Sequence, residues 1–209
     1  MRELLTVVLA MACAAPTAPQ KPGSRGPRAD EHLSAAEAHD AQAQRLSRWP
    51  ERHATQTEID TGSWYRMWDT VADQKRLARI HRSQAAQIQA EYEEACGARP
   101  YAEVSVSPLQ RYGMGGEPTE RGVTVFLSPD SGTPDQLLAA MRCHRAWMML
   151  GRANMDACPL DLAGIHVDVH GDPKTVTVEI TIDDPKLVPE LQRRAAHDLE
   201  AAAARHHPE

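Results

Sequence analysis

The sequence predicts an α+β protein: N-terminal Ala-rich helices, then two tandem ββα units forming a mainly antiparallel sheet with helices on one face. Three observations predict it. Residues 30–96 are rich in Ala, Glu, Gln and Arg and carry apolar residues at helical spacing. Two later runs alternate apolar and polar residues, Val123, Val125, Leu127 and Val176, Val178, Ile180, as half-buried strands do. Each run is followed by an Asp and a helical pattern, so one plan is written twice.

The chain begins with Arg2, a short apolar run from Leu4 to Ala12, and then Cys13 among small residues. That is the shape of a secretory signal. Ala10-Met11-Ala12-Cys13 reads as a bacterial lipobox, which makes residues 1–12 the signal peptide and Cys13 the lipidated (palmitate-bearing) first mature residue. Ordinary signal-peptidase cleavage after Ala14 is the competing reading. Residues 13–29 hold Pro and Gly and almost nothing apolar beyond Ala, a flexible tether by composition. The expected location is the cell envelope, lipid-anchored to a membrane and facing the periplasm.

Residues 30–48 form a helix with a thin stripe of Leu33, Ala36, Ala43 and Leu46, which Pro50 is expected to break. His32 and His39, seven apart on one face, read as solvated. A longer helix spans residues 63–95, with Asp69-Thr70 or Asp73 as candidate breaks and Leu77, Ile80, Ile88 and Tyr92 on its apolar face. Trp64 and Trp68, one turn apart, read as core or as an inter-helix contact. The helical region thus covers 30–96 and the α+β domain 97–209, with units at about 102–150 and 158–205.

The repeat sets the two units side by side. Strand, Asp and helix positions match at an offset of 53, while Ser107-Pro108-Leu109 and Cys158-Pro159-Leu160 match at 51, a difference assigned to a changed hairpin turn. Cys96 ends the helix before unit one, as Cys143 lies in the helix before unit two. Within unit two this favours a Cys143–Cys158 disulfide, as an oxidising compartment permits. Three cysteines apart from Cys13 still allow Cys96–Cys143 and Cys96–Cys158.

Met141 to Leu160 concentrates sulfur and imidazole. On a helix Met141, His144 and Met148 share a face, and with Met149 they make a candidate soft-metal site for copper. The bland reading is methionine packing around a disulfide. His166, Asp168 and His170 point to one side of a strand and read as its solvated face. Gly113-Met114-Gly115-Gly116 reads as a turn, without the Lys-Ser/Thr of a phosphate loop. No G-x-S-x-G, H-E-x-x-H or C-x-x-C pattern occurs, so no enzyme is expected. A net charge of −6 excludes a basic nucleic-acid-binding face.

Glu31-His32-Leu33-Ser34-Ala35-Ala36-Glu37, Met141-Arg142-Cys143-His144, Cys158-Pro159-Leu160 and Glu190-Leu191-Gln192-Arg193-Arg194 together resemble a group of uncharacterised bacterial lipoproteins. In that group Ala/His/Glu-rich helices precede paired Cys-containing α/β units; Ser107 stands where the pattern has Cys before Pro-Leu. The resemblance implies no activity. The reading is a membrane-anchored envelope lipoprotein with a structural or protein-interaction role and an unknown envelope protein as partner. A copper-binding protein is the alternative.

Overall fold

The structure, a computed structural model, describes residues 25–53, 63–151, 157–172 and 175–206. Cys13, the signal-like segment and the tether up to residue 24 lie outside these residues, as do Met155 and the side chains of Trp64 and Trp68. Two long helices, α1 (Ala29–His53) and α2 (Ser63–Cys96), form an antiparallel hairpin. Short helices α3 (Tyr101–Val104) and α4 (Pro108–Tyr112) lead into β1 (Gly113–Thr119) and β2 (Gly122–Leu127). Helix α5 (Pro134–Met148) follows, then a single turn at Pro159–Asp161, β3 (Ile165–Asp172), β4 (Thr175–Ile182) and α6 (Val188–His206). No helix among the described residues is long and apolar enough to cross a membrane.

The hairpin departs from the expected pattern in three ways. Helix α1 runs through Pro50 to His53, because a proline this near the end disturbs only the last turn. Helix α2 is unbroken at Asp69 to Asp73. The expected Ala36 and Ala43 are buried, but the seam takes His32 in place of Leu33 and leaves out Ile80. Leu33 is 49% exposed and Ile80 41%, while Ala29, His32, Ala36 and Ala43 face inward against Val71, Ala78 and Ala85. Both alanine series recur every seventh residue, the a-position spacing of a coiled coil. Small residues let two helices approach to the near end of the usual 8–10 Å range, at roughly 0.8 kcal/mol per buried methyl group. The seam is close-fitting and weakly apolar.

The sheet has the order β1-β2-β4-β3, antiparallel throughout, as the repeat predicts. Val125 pairs with Val178, residues that are themselves equivalent in the repeat, so a pseudo-twofold axis passes through that pair. The hairpin turns are of equal length: Thr119 pairs with Gly122, and Asp172 with Thr175. The two-residue difference therefore arises before the outer strands, not in the turns. Unit one has a bulge between Gly113 and Gly115, and unit two has none.

Gly113 to Gly116, read as a turn, belongs to edge strand β1. The backbone of α4 and helix α6 both press on Gly113, while Gly115 faces open space. A Cβ on Gly113 would strike the Leu109 carbonyl and Leu199, and one on Gly116 would lie 3.0 Å from Leu199 Cδ1. Helix α6 lies on β1 and β2, and α5 on β3. Their buried stripes are equivalent, Leu137, Met141, His144, Met148 and Leu191, Ala195, Asp198, Ala202, at an offset of 54 in place of the expected 53. Thr133 and Gln136 form a capping box that fixes the start of α5. Between helices and sheet lie Val125, Val178, Ile180, Leu109, Leu160 and Leu191, all fully buried. Among the described residues, nothing packs on the other sheet face. It carries Phe126, Glu179, Asp168, His166 and His170, all exposed, so the outward histidines fall where the alternation puts them.

A buried polar chain at the pseudo-twofold axis

Cys143 is bonded to Cys96, not to Cys158. The expected Cys143–Cys158 bond is thereby replaced by one that ties the end of α2 to α5, while Cys158 is a free, buried thiol. The reason is helical geometry. Cys143 faces the hairpin side of α5, where α2 packs, whereas the next residue, His144, turns toward Cys158.

Ser107 and Cys158 are the N-caps that open α4 and the Pro159–Asp161 turn, each followed by Pro-Leu. They are equivalent in the two units and they touch across the axis. On one side His144 Nε2 lies 3.6 Å from Cys158 Sγ. On the other, Ser107 sits against Asp198, whose Oδ1 accepts a 2.7 Å hydrogen bond from Gln110. His144 and Asp198 are themselves equivalent positions of α5 and α6. The result is one polar chain, His144–Cys158–Ser107–Asp198, with every member at most 2% exposed.

Its protonation follows from its partners. The Val104 carbonyl can only accept, so His144 donates from Nδ1 across 2.7 Å. Nε2 is then the acceptor for the Cys158 thiol. Burial holds His144 below the usual imidazole range despite the Val104 hydrogen bond, so the ring is neutral. Burial pushes the Cys158 thiol up, and the nearby Asp198 charge pushes the same way. Burial also raises Asp198, against the hydrogen bonds from Gln110 and Ser107; its Oδ2 accepts none. A thiol raised by burial is a poor nucleophile. The chain has the residue types of a catalytic set, with its thiol raised and every member buried.

Of the soft-metal candidates, Met141 and Met148 are 1% exposed and flank His144 along α5, and Met149 caps the helix end, partly exposed. His144 also stacks on Trp147 at 5.7 Å. Cys143 has no thiolate to offer in its disulfide. Nε2 of His144 and Sγ of Cys158 are the two ligand-type atoms that stand side by side. Among the described residues, no three His, Cys, Asp or Glu side chains converge as a metal would require.

Two further groupings carry no signal in local sequence. Asp161, 7% exposed, receives Arg28 at 2.9 Å, with Arg25 and Arg194 nearby. Arg25 also donates to the Arg145 carbonyl at 2.8 Å. These contacts lock the start of α1 onto the α+β domain. In the hairpin, His32 meets His81 and His39 stacks on it. His32 and His39, read as solvated, instead face α2: His32 is 8% exposed, and both rings meet His81 because the helices pack on that side. His166 contacts Asp183 at 2.8 Å on the open face, and both are exposed.

Comparison with protein families, with curated proteins and with solved structures gives no match for this chain.

Proposed function

We propose that this chain is a lipid-anchored protein of the bacterial cell envelope whose folded part is a structural or protein-interaction module, not an enzyme. The buried Cys96–Cys143 disulfide carries the reading, because such bonds persist in oxidising compartments. It accords with the signal-like start and the lipobox-like Ala10 to Cys13. The sealed His144–Cys158–Ser107–Asp198 chain argues for structure over catalysis, and the uncovered sheet face is where a partner has room.

Two experiments test this. Cys13→Ser is expected to move the protein from the membrane to the soluble fraction; unchanged fractionation sinks the anchor. A photo-cross-linker at position 126, on the open sheet face, is expected to give a discrete adduct in cells that one at Asp135 does not. Adducts at both positions or at neither remove the interaction role.

One observation favours a second reading, periplasmic copper binding. His144 is oriented by a backbone carbonyl, as metal-bound histidines are, and its Nε2 faces a thiol. Metal analysis of the tagless protein decides. Copper retained by the native chain and lost in His144→Ala would establish this reading; a metal-free protein ends it.

A further inference from the structure

The α1–α2 seam alternates alanine with polar layers, and three histidines meet in it. His32 Nδ1 lies 3.0 Å from His81 Nδ1, with ring centroids 5.3 Å apart. His39 stacks on the same His81 ring at 5.4 Å and 13° between planes, and its Nδ1 is 2.7 Å from Gln74 Oε1. Two ring nitrogens at that distance must hold one proton between them, one ring donating and the other accepting as a neutral imidazole. If both rings are charged, two N–H groups face each other and the contact becomes repulsive. His32 is 8% exposed, so water does not replace what is lost while the seam is closed.

We propose that the α1–α2 hairpin is an acid-labile clasp, closed while the His32–His81 contact shares one proton and opened when His81 takes up another. The surroundings offer no relief. Asp40 and Arg82, which follow His39 and His81 in sequence, are paired with each other across the helices. The charges that His81 feels are those of His32 and His39, and no carboxylate acts on it. The alanine layers above and below contribute little apolar burial to hold two like charges together. At the base of the hairpin, Arg28–Asp161 and the Ala29 N–H to Met149 carbonyl bond hold α1 to the domain, with Arg25, Arg194 and Glu91 close by. Opening therefore runs from the far end of α1 toward this anchored base.

The sign is fixed by the direction of the shift. Burial, then His32 and His39, hold His81 below the usual imidazole range, so the closed hairpin binds fewer protons than the open one. The clasp is whole above the ordinary imidazole pKa of about 6.5 and is lost as pH falls through it toward the lowered value.

Amide hydrogen exchange of the full chain tests this, in chelator so that protons are the only ligand, at about pH 7.5 and about pH 5.5 with intrinsic rates corrected. Protection across residues 32–48 is expected to fall by about tenfold or more at the lower pH, while β2 and β4 hold theirs. His81→Leu is expected to keep α1 protected at both values, and His81→Lys to open it at the higher one. Unchanged α1 protection in the native chain overturns the proposal. So does an equal loss in His81→Leu, which would place the titration outside the histidine contact. Should the Lys variant not fold, the native and Leu proteins still decide.

Discussion

His144 in the α+β core and His32 in the hairpin are both almost closed to water, and their partners differ in kind. His144 donates to the Val104 carbonyl, an acceptor in any solution, and sits among Trp147, Met141 and Met148. Its protonation is decided by structure. His32 faces His81, a group as basic as itself, across a seam of alanines. The ionisation of that partner, His81, changes with the solution. A buried polar residue is a fixture when its partner has one ionisation state and a sensor when the partner has two. The two regions also differ in bulk: the core buries Leu, Ile, Val, Met and Trp, and the seam mostly Ala and His.

The strongest challenge to this division is the bond that joins its halves. The Cys96–Cys143 disulfide closes a separation of 47 residues, worth about 4 kcal/mol in the chain-entropy model. Replacing both cysteines by Ala is expected to lower the unfolding free energy by about that amount in urea titration, with α2 losing exchange protection first. Simultaneous loss across the molecule would mean that hairpin and core are one cooperative unit. Next in size, Leu191→Ala, at a fully buried core position, is expected to cost about 3 kcal/mol, whereas Ala78→Gly in the seam costs about 1 kcal/mol. Equal costs would erase the contrast in packing.

The smallest effect is at Asp198. Burial raises its carboxyl, so the folded state binds the proton more tightly than the unfolded chain. Its charge therefore costs stability once pH rises above the unfolded value of about 3.9, and Asp198→Asn is expected to gain about 1 kcal/mol at neutral pH. The gain should shrink toward pH 4, as thermal melts across pH will show. A variant less stable than the native chain at every pH would make Asp198 a required anion.

Much of the sheet was legible because alternation is a local signal. Val123 to Leu127 and Val176 to Ile182 carry it, and their offset placed Val125 opposite Val178 once the units were paired about an axis. Strand β1 was legible only as the irregular strand that the repeat demands, and its glycine run was not placed in it. At Gly113 a side chain would strike the Leu109 carbonyl and Leu199, contacts the local sequence does not announce, so composition imitated a turn. The cysteine pairing failed for a related reason: sequence separation does not say which side of α5 Cys143 faces. The candidate site was half visible. His144 and Cys158 were singled out for their chemistry, whereas Ser107 and Asp198 became members only when the axis brought them together. In the seam Ala36 and Ala43 fell as expected, but the histidines were read as solvated because their partner His81 lies on another helix, and Leu33 and Ile80 are exposed.

The axis through Val125 and Val178 has a consequence for assembly. Each unit supplies one inner strand, one outer strand and one covering helix, and α5 and α6 lie over strands of the opposite unit. Half of the domain on its own would leave its inner strand unpaired and its helix without a sheet to cover. A second copy of the same half, turned about that axis, would supply both. The covalent join between the units thus does the work that self-association does in a symmetric dimer, and it frees each half to diverge. That freedom is recorded where one half keeps Ser107 and the other Cys158.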